Sequence, residues 1–188
     1  MVTDPDRFKD ALLAELQSLR AFAISITGNV ERADDLVQDT VVKAWTNMNG
    51  YTEGTNIRAW LFTILRNTFY SDFRKRSREV EDDGAHASRL AVHAPQHGHM
   101  DLEDFRRALA QLPDDQREAL ILVGASGFSY EEAAEICGCA LGTIKSRINR
   151  ARARLGEMLS VTSGADFGPD ADSYAALAGA DGGGAKTD

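Results

Sequence analysis

Between Leu141 and Gly156 the chain carries five basic residues, Lys145, Arg147, Arg150, Arg152 and Arg154, and no acidic one. Guanidinium and ammonium groups at this density bind phosphate. Their spacing says how: at about 100° per residue, Ile144, Ile148, Ala151 and Leu155 fall on one stripe of a helix, with Ser146, Asn149, Arg150 and Ala153 opposite. That opposite face suits hydrogen bonding to base edges in a major groove. Lys145 and Arg152 flank it on one edge and Arg147 and Arg154 on the other, so both groove walls can be held by phosphate contacts.

Such a helix needs a partner to present it. Just upstream, Ser129 can cap a short helix whose first turn holds Glu131 and Glu132, where the positive end of the helix dipole favours carboxylates. Gly138 can end that helix with a positive φ, and Ala134, four residues earlier, allows close approach of the next helix. Helix, sharp turn and basic helix make a helix-turn-helix unit. The unit extends upstream through Leu102, Phe105, Ala108 and Leu109 on one helix and Pro113, Asp114, Asp115 and Glu118 at the start of another.

A second group of chemically capable residues lies on a helix expected from Ile57 to Arg76. Trp60, Leu61, Ile64 and Leu65 make its core stripe, while Thr63, Arg66, Asn67, Tyr70 and Arg74 form a separate polar and aromatic stripe beside the Gly50 to Asn56 loop. Basic and aromatic side chains interleaved in this way suit single-stranded DNA, which needs phosphate contacts and stacking platforms. Two earlier helices support this one. The first, Asp10 to Ile26, carries Leu12, Leu13, Leu16, Leu19, Phe22, Ala23 and Ile26 at helical spacing. The second, Asn29 to Asn47, carries Ala33, Val37, Val41, Ala44 and Trp45 on its core arc and Asp35, Gln38, Asp39 and Val42 on a surface left for a partner.

The net charge of -8 argues against a nucleic-acid partner until it is divided. Residues 1–78 carry 11 basic and 10 acidic groups, 79–100 carry 1 and 4, 101–160 carry 8 and 10, and 161–188 carry 1 and 5. The negative excess therefore sits mostly between and after the helical units. Residues 79–100 contain His86, His93, His97 and His99 without a regular element to fix their geometry, which favours a linker over a metal site. The last 28 residues hold six Gly, seven Ala and five Asp, a composition that cannot bury a core, so a disordered tail is expected. Cys137 and Cys139 are too close to staple a domain and read as small hydrophobes. No apolar run approaches a membrane span and the N-terminus lacks a signal core, so a cytoplasmic protein without membrane association is expected. There is no glycine-rich phosphate loop, zinc quartet or nucleophile paired with a base, so neither catalysis nor a cofactor or metal is expected.

Four motifs, ADDLVQDTVVKAW from Ala33, IRAWLFTILRN from Ile57, LPDDQREAL from Leu112 and SYEEAAEICGCALGTIKSRINRARARL from Ser129, resemble in this order an extracytoplasmic-function (ECF) sigma factor of the sigma-70 family. The wording WLFTILRN and LPDDQREALILV further resembles the general-stress-response subgroup. The resemblance implies an all-α fold of two small helical domains, region 2 over 8–78 and region 4 over 101–160, joined by a flexible linker at 79–100 and followed by the acidic tail at 161–188. It also implies roles: Asp35, Gln38, Asp39 and Val42 docking on the β′ clamp helices of core RNA polymerase; Arg66, Asn67, Tyr70 and Arg74, with the Gly50 to Asn56 loop, at the -10 element; and Lys145, Ser146, Arg147, Asn149, Arg150, Arg152 and Arg154 at the -35 element. The implied partners are core polymerase, including its β flap, promoter DNA and an anti-sigma factor. Two other classes share parts of the pattern. A conventional helix-turn-helix regulator would not need the Asp35 surface, and a sigma-mimicking anti-anti-sigma protein of the general-stress type would carry a receiver domain, for which no residues are left.

Overall fold

The computed structural model describes residues 4–83 and 102–159, all of it helix and connection. Among the described residues seven α-helices follow in order: α1 Pro5–Thr27, α2 Val30–Thr46, α3 Ile57–Asp83, α4 Leu102–Ala110, α5 Asp114–Gly124, α6 Tyr130–Cys137 and α7 Leu141–Met158, with a short 3-10 turn at Met48–Gly50. No helix among the described residues is long and apolar enough to cross a membrane. The histidine-bearing stretch 84–101 and the tail from 160 lie outside the described residues, so the metal and tail expectations fall there, as does the expected linker except for residues 79–83, which are the end of α3.

Local chemistry explains where the helices begin and end. Asp4 accepts from the Asp6 amide at 3.0 Å ahead of Pro5, whose fixed φ suits a first turn. Gly28 closes α1 at φ 66°, and Asn29 opens α2 by accepting from the Arg32 amide at 2.9 Å. α1 therefore starts five residues before the expected Asp10: the Asp-Pro pair is a start signal that the apolar spacing does not carry. α3 likewise runs past the expected Arg76 to Asp83.

α1, α2 and α3 pack into one bundle and α4 to α7 into a second. The two bundles are not separate bodies. α3 packs on α6 and α1 on α5, and one continuous apolar cluster runs from Phe8 through Phe62 and Phe128 to Ile148. Phe62 sits at the join, its ring 5.0 Å from Phe22 and 4.8 Å from Phe128. Two expected core positions lie at the margin instead. Leu13 is 50% exposed, and Trp45 is 45% exposed although its ring lies 6.1 Å from Phe8. Leu36 and Thr40 take the buried face of α2, with the Thr40 hydroxyl donating to the Leu36 carbonyl.

Candidate nucleic-acid interface

The helix-turn-helix is built from a capping box and a left-handed turn. Ser129 Oγ accepts from the Glu132 amide at 3.1 Å while Glu132 Oε2 accepts from the Ser129 amide at 2.9 Å, so two orphan donors are satisfied reciprocally. Gly138 ends α6 at φ 61°, a conformation other residues resist. Ile144, Ile148, Ala151 and Leu155 are then buried as the wheel requires. Lys145, Asn149, Arg150 and Arg154 are exposed. Ser146 is half-buried, its hydroxyl donating to the Thr143 carbonyl at 2.9 Å, and Arg152 is half-buried with interactions inside the fold.

Arg147 is placed differently from the other basic residues of α7. Its Nε lies 3.1 Å from Asp115 Oδ2 on α5, and Nη1 lies 3.8 Å from Cys139 Sγ in the turn. In this arrangement it ties α7 to α5 and to the turn. Cys137 beside it is buried in the core, and burial pushes its thiol up to about 12, so at neutral pH it packs as a small neutral group.

On α2, Asp35, Gln38, Asp39 and Val42 are all exposed, Val42 at 58%. The neighbouring Asp34 is paired across the exposed edge between α1 and α2: Arg20 Nε donates to its Oδ1 at 2.6 Å, and this hydrogen bond holds the carboxyl below its usual range. The direction of the Asp35 face is fixed by the packing of Ala33, Leu36, Thr40 and Ala44 in the core.

The α3 stripe divides. Asn67 and Arg74 are exposed, but Arg66 and Tyr70 turn toward the second bundle. Arg66 Nε lies 2.8 Å from Glu118 Oε1, an ionic contact in distance without the alignment of a hydrogen bond, and the Tyr70 hydroxyl donates to Glu118 Oε2 at 3.2 Å. The Arg66 guanidinium lies over the Tyr70 ring at 4.7 Å. Glu118 is 1% exposed. Burial raises its carboxyl above the ordinary value, against the opposing pull of Arg66, and burial followed by the nearby Glu118 charge raises the Tyr70 phenol. Burial is the largest single influence and would lower Arg66, but Glu118, Cys137 and Tyr70 together outweigh it and the net shift is upward.

Glu118 is the residue that sequence reasoning misplaced. An acid near the start of a helix reads as a dipole partner, and its true partners lie 52 and 48 residues away on α3. Further contacts cross the same join: Asn56 Nδ2 donates to Glu132 Oε1 at 2.6 Å, Arg117 Nη2 donates to the Ile26 carbonyl at 3.2 Å, and the Arg58 guanidinium lies 5.0 Å from the Phe128 ring.

A helix-turn-helix bundle joined to a second helical bundle with its own basic and aromatic face defines a two-part DNA-binding protein. Comparison with known families gives the class. The pattern described as Sigma-70 region 2 matches residues 12–79, and that described as Sigma-70, region 4 matches residues 102–155. The chain is 59% identical over 178 residues to the ECF RNA polymerase sigma factor EcfG of Rhodopseudomonas palustris (strain TIE-1), covering 94% of this chain and 98% of that protein. It is 37% identical over 132 residues to the ECF RNA polymerase sigma factor SigC of Mycobacterium tuberculosis, covering 69% of this chain and 71% of that one. Among solved structures, the sigma factor RpoE of Bartonella quintana, in complex with the anti-sigma factor NepR, matches with a TM-score of 0.74 and 58% identity, over 84% of this chain and 99% of that one. The chain belongs to the sigma-70 family, in its extracytoplasmic-function class.

Proposed function

We propose that this sigma factor binds core RNA polymerase through the exposed Asp35, Gln38, Asp39 and Val42 face of α2, reads a -35 element with α7 and handles a melted -10 element with α3. The observation that carries the reading is the exposed row Lys145, Asn149, Arg150 and Arg154 on a helix whose opposite stripe is buried, which leaves the groove-reading face open to duplex DNA. Asn149 and Arg150 are suited to base edges, and Lys145 and Arg154 to phosphates on either side. Arg147 and Arg152, held partly within the fold, support the helix and reach its flanks. On α3, Asn67 and Arg74 are presented for the -10 strand, with Arg66 and Tyr70 behind them.

The chain acts by binding, not by catalysis, and works in the cytoplasm with polymerase. A helix-turn-helix regulator would account for α4 to α7 but not for the region 2 match over residues 12–79. The Bartonella quintana relative is bound by an anti-sigma factor, and we infer that an anti-sigma factor of that kind also restrains this chain, in keeping with a role in the general stress response. Run-off transcription with purified core polymerase on a promoter library tests the reading. Chain-dependent start sites sharing two spaced upstream elements support it, and a start-site pattern identical with and without the chain refutes it.

A further inference from the structure

The loop that leads into α3 is polar and open to solvent: Thr52 to Asn56 are all exposed and none carries an apolar side chain. We propose that Tyr51, seated on Phe8 of α1, is a positioning residue for promoter opening: it holds this loop in one shape before DNA arrives, so that the strand meets a formed surface. This rests on the reading, given above, of α3 and its neighbouring loop as the -10 site.

Three observations carry it. First, the root of the loop is fixed to all three helices of region 2. The Tyr51 ring lies 6.0 Å from Phe8 of α1 and 5.6 Å from Trp60 of α3, and Phe8, itself buried, also meets Trp45 of α2 at 6.1 Å. Rings at these separations attract one another beyond simple burial, and their packing sets the direction in which the phenol points. Second, the phenol points into the loop. The Tyr51 hydroxyl donates to the Thr55 carbonyl at 2.8 Å. Thr55 in turn donates to the Thr52 carbonyl, from its amide at 3.1 Å and from its hydroxyl at 2.7 Å, and Gly54 takes φ 91° inside the turn so formed. Asn56 Oδ1 then accepts from the Ala59 amide at 3.1 Å, which fixes the exit into α3. Third, the other ties to the loop are weaker or come from outside region 2. Glu53 meets Arg7 at 3.4 Å with both side chains exposed, an arrangement that adds little, and Asn56 meets Glu132 of the second bundle at 2.6 Å. Tyr51 combines a packed ring with a bond into the turn. A loop ordered in advance gives up less backbone freedom when it takes a base, and preorganisation of this kind favours capture.

The test compares Tyr51→Phe, which keeps the ring and deletes the hydroxyl, with wild type and with Asn67→Ala. Amide hydrogen exchange is followed on the free full chain, and opening is followed by permanganate reactivity with the holoenzyme on a promoter that it transcribes. Tyr51→Phe is expected to bind core polymerase and -35 duplex like wild type, to keep its helical amides protected and to exchange the Thr55 amide faster. Opening should fall about fivefold, the size of one net hydrogen bond. Phe8→Leu, which leaves an apolar group in the core but removes the ring beneath Tyr51, should act in the same direction; if it loses helical protection, Tyr51→Phe alone decides. Reduced opening with unchanged exchange at Thr55 would mean that the hydroxyl meets DNA directly, and it overturns the positioning role. Wild-type opening by Tyr51→Phe overturns the proposal whatever the exchange shows, and the -10 reading survives that result if Asn67→Ala still opens poorly. If Asn67→Ala also opens like wild type, the -10 reading falls with it.

Discussion

Regions 2 and 4 present their DNA-facing side chains in opposite states. On α7 the stripe that packs and the stripe that reads are opposite each other, so burial of Ile144, Ile148, Ala151 and Leu155 pushes Asn149 and Arg150 into solvent. α3 is packed on two sides, by α1 and α2 and by α6, and half of its polar stripe is drawn to Glu118 on α5 of the second bundle. A helix that packs on one side keeps its reading face open. A helix shared by two bundles has to give part of that face up.

The largest expected effect comes from the residue that serves both bundles. Phe62→Ala removes a fully buried ring between Phe22 and Phe128 and should cost about 3–5 kcal/mol, read as a lower denaturation midpoint for the whole chain. If only region 2 is weakened and region 4 melts as before, the two bundles are less coupled than their continuous core implies.

Next in size is Arg150→Ala, expected to cost about 1–3 kcal/mol of -35 binding and to relax preference at one base position. Band shifts on substituted -35 sites measure it. Lys145→Ala should instead weaken all sequences alike and reduce the salt slope by about one. Arg147→Ala sharpens the contrast: because Arg147 is tied to Asp115, its loss should lower the melting temperature of the chain and leave the salt slope nearly unchanged. A full unit of slope lost there would place Arg147 on phosphate after all.

These outcomes also show what the residues alone could convey. The Ser129 cap, the positive φ at Gly138 and the α7 stripe are local, set by side chains within a turn or two of one another, and were legible; the reciprocal bond that Glu132 makes to the Ser129 amide was not, since Glu132 reads only as a dipole partner. Glu118 and Phe62 were not, because their roles depend on a helix from the other bundle arriving at the right place. The expected Trp60, Leu61, Ile64 and Leu65 stripe assumes one packing partner, whereas α3 has two and buries Phe62 as well. Leu13 and Trp45 fail for the converse reason: helical spacing places them toward the core, but they lie at its margin and are only partly covered, Trp45 by Phe8.

The smallest effect is a pH dependence. Glu118 meets Arg66 and Tyr70 from α3, Cys137 from α6 and the charge of Arg147 from α7, and its carboxyl is raised by burial. The packed form therefore holds the proton more tightly than an open or unfolded form. Its stability gains as pH falls through the raised value and is lost as pH rises from the ordinary value near 4.5 through that raised value. Asp34 runs the other way: its carboxyl is lowered, so its contribution is present above its ordinary value near 3.8 and is lost as pH falls through the lowered one. Glu118→Gln, which cannot titrate, should melt with a flatter pH profile than wild type as pH rises from the ordinary carboxyl value near 4.5. Parallel profiles would mean that Glu118 stays ionised in the packed form.

The contrast between an open α7 and a partly closed α3 is tested most directly by asking what the chain binds on its own. Once a promoter has been identified by transcription, the polymerase-free chain is titrated with its -35 duplex and, separately, with its single-stranded -10 sequence, and both titrations are repeated with the holoenzyme. The account predicts that the free chain retards the -35 duplex and leaves the -10 strand essentially unbound, whereas the holoenzyme engages both. A free chain that binds the -10 strand as tightly as the holoenzyme does, with the binding lost in Arg66→Ala, would contradict it.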